Sequence, residues 1–270
     1  MSSFNDQFLY SILIIIIGYV LKRFEIIKPS DGEGLARIIF NLTLPALIVV
    51  TFNDIKLEYS LFLLIIINIV YCVLIGFLTI FLFRKHSMET KGMLTMLISG
   101  FNIGLFAYPL VEGIWGREGI KYFGMFDVGN AFIVFGFIFV VGGFYAGEGA
   151  RLDVKSIVSK LLKSIPFMTY ILVVILNVLH IKLPTLFIET ADIISWANMP
   201  LSLLLLGIYL NFRFDKSNVK LIVQFLSLKY IIGLTVGLLL FFTLPFDDMF
   251  KYTVLIGMIL PTSASVLPYA

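Results

Sequence analysis

Charge is scarce in this chain. Of its 270 residues only 14% are Asp, Glu, Lys or Arg, against about a quarter in an ordinary soluble domain. Histidine occurs twice, at His86 and His180, and cysteine once, at Cys72 inside an apolar run. A single cysteine excludes an internal disulfide and leaves the redox compartment open. The two histidines sit near loops on opposite sides, and there is no H-E-x-x-H and no second thiol. The nucleophile–base pair or metal-ligand set that an intramembrane enzyme needs is therefore missing, so we expect neither an enzyme nor a metal site. Basic residues gather on no single surface, which removes nucleic acid as a partner. Low-complexity linkers and polar stretches long enough for a soluble domain are also missing. The N-terminus has no positive n-region, so it reads as a first span and not as a cleaved signal peptide.

What fills the chain is apolar. Hydrophobic residues make up 60%, and the mean hydropathy is +1.02. The excess falls in runs of about 20 residues, the length that crosses a bilayer core. Nine such segments run near 7–21, 36–53, 59–83, 93–112, 122–146, 164–181, 192–212, 221–244 and 252–270. Short loops join most of them, which predicts one membrane domain over 1–270, all-α and polytopic, with lipid around it. Lys and Arg alternate between the loops. One side holds 14, beginning with Lys22 and Arg23, and the other holds 5, with Lys229 inside a span. The basic side is expected to be cytoplasmic and the N-terminus outside.

A repeat runs through the chain. Pro29, Ala36, Ile38, Ile39 and Pro45 recur 155 residues later as Pro184, Ala191, Ile193, Ile194 and Pro200. Pro109 lies 159 residues before Pro268. The second span then corresponds to the seventh and the fourth to the ninth. Units of five spans, over 1–150 and 151–270, place the second copy upside down, with the broken fourth and ninth helices crossing near the midplane. The second unit has four segments and the chain stops at Pro268-Tyr-Ala270, before a tenth span. We read this as a truncated chain, because a helix broken at Pro268 and then ended would leave carbonyls without partners.

The fourth segment carries the chemistry. Gly100-Phe-Asn-Ile-Gly-Leu-Phe-Ala-Tyr-Pro109 places Gly100, Asn102, Gly104 and Pro109 within ten residues of an otherwise lipid-compatible helix. Pro109 removes a backbone donor and obstructs the carbonyl one turn earlier. Such a break survives at membrane depth only where protein or an aqueous cavity satisfies the freed groups. Broken helices of this kind hold the ions and substrates of transporters. A half-helix restarting after the break aims N–H groups at the cavity and suits a carboxylate; exposed carbonyls suit a sodium ion. Gly104 permits close backbone approach, and Asn102 offers both a donor and an acceptor.

Other polar residues divide between function and structure. Asp127 is the one carboxylate well inside a span, with Asn130 on the same helical face. Burial penalises its charge and makes it a candidate proton carrier, the alternative being an interfacial acid near Lys121. Asn41, Thr43 and Asn198 flank the breaks of the second and seventh spans, to coordinate an ion or to cap freed backbone. Asn68 and Asn177 could line the cavity but read first as interhelical glue, Lys229 as a residue that snorkels to the interface, and Glu112 and Trp115 as interface anchors. The Gly142-Gly143 and Gly147/Gly149 cluster reads as tight packing or a turn.

These motifs together resemble the auxin efflux carrier family of membrane transporters, particularly its bacterial branch, which includes malate and malonate carriers. The resemblance covers the whole chain. It rests on Asn41-Leu-Thr-Leu-Pro45, Asn102-Ile-Gly-Leu-Phe-Ala-Tyr-Pro109, Phe126-Asp-Val-Gly-Asn130 and the stretch from Pro261 to Pro268. It implies a fold similar to bile acid–sodium symporters, with a scaffold part and a transport part. It also implies a permease for small organic anions such as dicarboxylates, working by alternating access and coupled to protons or sodium. The expected substrate or ion site comprises Asn102, Gly104, Pro109, Asp127, Asn130, Asn41, Pro45, Pro261 and Pro268. No cofactor is expected beyond the coupling Na+ or H+, and a homodimer would form through the scaffold. The competing expectation is a truncated, non-transporting membrane protein that acts as a sensor or assembly partner.

Overall fold

The computed structural model describes residues 4–53, 55, 58–145, 154–211 and 218–263. Among them every regular element is helical. The helices are α1 (Phe4–Arg23), α2 (Asp31–Ile38), α3 (Leu44–Phe52), α4 (Tyr59–Leu82), α5 (Met88–Ser99), α6 (Tyr108–Phe132) and α7 (Ile138–Tyr145). They continue with α8 (Val154–Lys163), α9 (Ile165–Val178), α10 (Thr185–Ser195), α11 (Asn198–Tyr209), α12 (Val219–Thr243) and α13 (Asp248–Met258). Segments such as α4 are rich in β-branched residues, which disfavour helix in water. In hydrocarbon the backbone has no other way to satisfy its own polar groups, so helix wins. Where helices begin near water, side chains cap them. Ser87 Oγ accepts from Thr90 N at 3.2 Å before α5, and Asp247 Oδ1 accepts from Phe250 N at 2.9 Å before α13.

Two of the prolines inside spans, Pro45 and Pro109, are each preceded by a π-helical turn. Ile39–Thr43 runs into Pro45, and Ile103–Ala107 runs into Pro109. At the first of these, Leu44 N bonds Ile39 O, five residues back. The wider turn admits a ring that has no N–H and would otherwise strike the preceding turn. The run from 103 to 145 is 43 residues long by hydrogen bonding. It is interrupted at Gly116, whose φ of +60° and ψ of −146° are outside helical geometry.

The expected nine segments meet a physical limit here. Six continuous helical runs among the described residues, with α2 joined to α3, α6 to α7 and α10 to α11, are long and apolar enough to cross a membrane, or seven if α8 and α9, bent by 80° at Ser164, form one span. The difference lies largely in the breaks. The 12 residues of α5 and 11 of α13 rise only about 16–18 Å, roughly half a bilayer core.

Two compact units emerge, and each draws on both halves of the chain. The first comprises 1–57, 103–124 and 164–212, which contain the first, second, sixth and seventh segments. Within it α1 packs along α11, and α3 packs against α9 and α10. The contact of α1 with α11 is backbone-close: a Cβ on Gly207 would lie 2.1 Å from Ile15 O. Thr43 Oγ1 donates to Asn198 Oδ1 at 3.1 Å, so two residues separated by 155 positions meet. Asn177 Nδ2 donates to Asn53 O at 3.2 Å, the interhelical bond expected of it. Arg117 pairs with Asp192, both partly exposed.

The second unit comprises 58–102, 125–163 and 213–270. Here α12 packs on α13, and α4 packs on both α5 and α13, with α7 also against α5. The buried residues of α12 are Phe225, Lys229, Gly233 and Gly237, spaced by four. They form a stripe along one helical face. Gly233 is required there, since a Cβ would fall 2.4 Å from Met258 O.

Candidate functional site

The second unit holds the crossing of two unwound stretches, Gly100–Asn102 after α5 and Pro261–Ser263 after α13. α5 ends at Ser99, and Gly100 is extended, with φ −109° and ψ 142°. α13 ends at Met258, and Phe101 and Thr262 form an isolated antiparallel bridge. Asn102 N donates to Pro261 O at 2.9 Å, and Ser263 N donates to Gly100 O at 3.1 Å. Each break thereby supplies partners for main-chain groups that the other has freed, which is what unwound backbone at membrane depth demands.

One side chain completes this pairing. Asn130 Oδ1 accepts from Phe101 N at 3.0 Å, and its Nδ2 donates to Phe101 O at 3.0 Å. The same amide reaches Asp127 Oδ1 at 3.4 Å. Asn130 is 6% exposed, and both its N–H donors are engaged. Its amide therefore acts on the backbone of Phe101 as a neighbouring strand would.

Phe101 is held from the sides as well. Its ring stacks on Tyr71, with centroids 6.1 Å apart, and tilts against Phe126 at 6.1 Å. The Nζ of Lys229 stands 4.9 Å from the Phe101 ring centroid, a cation–π contact. The same ammonium donates to Thr262 Oγ1 at 3.3 Å. Lys229 is 1% exposed. Among the described residues no Asp or Glu lies within 4 Å of it. On α4, Asn68 Nδ2 and Tyr71 OH are buried and have no hydrogen-bond partner among the described residues.

The expected site residues divide accordingly. Asn102, Asn130, Asp127 and Pro261 meet around the crossing in the second unit. Asn41, Pro45, Gly104 and Pro109 belong to the first unit. There Gly104 packs against Phe40 and Leu44, Pro109 is buried, and Asn41 is exposed. Pro268, like Gly147 and Gly149, lies outside the described residues.

Three side-chain expectations are corrected. Lys229 does not snorkel to an interface: it shares the buried face of α12 with Gly233 and Gly237, and it ends at the crossing. That spacing of four was the signal in the sequence that could have found it. Glu112 is not a simple interface anchor, since its Oε2 is buried and makes no hydrogen bond among the described residues. Asn68 does not glue helices together: its Oδ1 accepts from Cys72 Sγ at 3.5 Å, one turn along the same helix.

Apolar helical runs of spanning length, with the stretches after α5 and α13 paired through their backbones, define the class: a polytopic membrane protein. Residues 6–268 match the family described as membrane transport protein. The chain therefore belongs to that family, the auxin efflux carrier family of the resemblance. An uncharacterized transporter of Methanothermobacter thermautotrophicus is 26% identical over 220 residues, covering 80% of this chain and 70% of that protein. An uncharacterized transporter of Methanocaldococcus jannaschii is 27% identical over 226 residues, covering 76% and 68%. Membership in a transport family also points away from an enzyme.

Proposed function

We propose that this transporter is a permease for small organic anions, dicarboxylates such as malate or malonate in the first place, and that it works by alternating access. The observation that carries this reading is the backbone-paired crossing of the two breaks, Gly100–Asn102 against Pro261–Ser263. Broken helices meeting at membrane depth create the polar surface on which carriers hold substrate and coupling ion. In this reading the first unit is the scaffold and the second the transport part. The pairing of Thr43 with Asn198 at the repeat interval of 155 supports an inverted repeat, because residues near a two-fold axis meet their own equivalents. We take the basic loops as cytoplasmic and the coupling ion as Na+ or H+. Asn130 then serves as a positioning residue that keeps the fourth-span break open.

The test is counterflow in proteoliposomes. Vesicles loaded with unlabelled malonate should accumulate external labelled malonate, and malate should compete. Imposed sodium and proton gradients identify the coupling ion by which one drives net uptake. Empty-vesicle rates for every dicarboxylate, from a chain that is folded and inserted, would sink the anion reading.

A further inference from the structure

The proposed function leaves one group at the crossing unexplained. Lys229 is a charged side chain buried at membrane depth, and such residues are expensive and normally paired. It faces one ring, Phe101, and one hydroxyl, Thr262. An ammonium has three donors, and among the described residues Thr262 is the one hydrogen-bond acceptor it reaches. No carboxylate of the protein balances it within ion-pair distance among those residues. Two further donors lie in the same unit. Tyr71 OH is buried and, among the described residues, unbonded, and it stands 3.3 Å from where a Cβ of Gly233 would be, one turn beyond Lys229 on the same face of α12. Asn68, one turn before Tyr71 on the buried face of α4, has an unbonded Nδ2 and is fully buried. The set is a cation with neutral donors, all buried, on the two helices that flank the crossing.

We infer that Lys229 is the fixed counter-charge for the carried anion, with Tyr71 OH and Asn68 Nδ2 as hydrogen-bond donors to the same ligand. The inference rests on the organic-anion reading and deepens it by naming how the negative charge is recognised. A carboxylate here would satisfy the donors and neutralise the ammonium at once. A cation held in the protein itself also makes discrimination simple, because an uncharged isostere can accept a hydrogen bond from Lys229 but leaves its charge uncompensated.

The experiment is calorimetric titration of the purified full chain in detergent with malonate, malate and succinate, and with malonamide as the uncharged control. Wild type should bind one of the acids and not malonamide. Lys229→Met should weaken that acid by at least about tenfold, as expected for loss of a buried hydrogen bond to a charged group. Lys229→Arg should retain more affinity than Lys229→Met. If Lys229→Met does not fold, Lys229→Gln keeps a donor to Thr262 without the charge and serves the same purpose. Tyr71→Phe keeps the ring on Phe101 and should cost a few-fold in affinity. Acid binding that is unchanged in the Lys229 variants overturns this inference and leaves the anion reading intact. Equal binding of malonate and malonamide overturns this inference and counts against the anion reading as well. A folded wild type that binds none of the acids overturns both.

Discussion

Replacing Asn130 by leucine removes the amide that clamps the broken backbone while keeping the branched outline of the side chain. Phe101 is 1% exposed, so its N–H and C=O, each 3.0 Å from the Asn130 amide, would find no water. Each buried group left unpaired costs about 1–3 kcal/mol, so the pair costs about 2–6. The buried leucine returns about 1–2 kcal/mol of transfer free energy. The net expectation is about 0–5 kcal/mol of destabilisation, localised at the crossing. Asn130→Asp is the sharper variant. It keeps an acceptor for Phe101 N, but it sets an oxygen against Phe101 O and a second carboxylate beside Asp127, whose Oδ1 is 3.4 Å from the present amide. It should therefore be at least as damaging as leucine despite its nearly identical shape. Reversible unfolding in detergent gives the free energies, and hydrogen exchange over residues 100–103 reports whether the opening is local. Both variants within about 0.5 kcal/mol of wild type, with exchange at Phe101 unchanged, would refute the clamp.

Three further outcomes follow from the geometry. Gly233→Ala places a Cβ 2.4 Å from Met258 O, forcing α12 and α13 apart at a cost of about 1–3 kcal/mol, measured by the same unfolding assay; an unperturbed melting temperature would contradict the close packing. Thr43→Val removes the donor to Asn198 Oδ1 and Asn198→Leu removes the acceptor, so a double-mutant cycle should give a coupling of about 0.5–1.5 kcal/mol, and strict additivity would deny the contact. Arg117→Ala breaks an ion pair whose side chains are 42% and 40% exposed, so unfolding in detergent should shift by less than about 1 kcal/mol, whereas a large loss would mean that Arg117 does more than pair with Asp192.

The helical membrane fold was legible because apolar runs of bilayer length admit few structures. The breaks were legible too, since Gly100, Asn102 and Pro109 cluster where no lipid-facing helix needs them. The number of spanning helices was not. A segment such as 93–112 looks like one span in a hydropathy reading, yet in three dimensions it is a short α5, an extended Gly100 and a restarted helix. The role of Asn130 was half visible. Its place beside Asp127 followed from helical spacing, but its bonds to Phe101, 29 residues earlier, depend on tertiary packing. Lys229 was misjudged because a lysine several residues from a helix end is usually free to reach water. Only the stripe it shares with Gly233 and Gly237 marks the face as the one that α13 covers. Gly116 gave no signal, since a positive φ at a glycine leaves no pattern in its neighbours.

The central claim is that the anion sits at the crossing, and cysteine protection tests it most directly. In a Cys72→Ala background, Thr262→Cys at the bridge and Ile193→Cys on the exposed face of α10, where Ile193 is 75% exposed, would each be labelled with a small membrane-permeant maleimide. Rates would be compared with and without saturating malonate or whichever acid binds. The account predicts that the acid slows labelling at position 262 by about tenfold or more, which corresponds to at least 90% occupancy of the site in mass-action terms, and leaves position 193 unchanged. Acid that binds the protein yet leaves labelling at 262 untouched would place the substrate elsewhere and contradict the account.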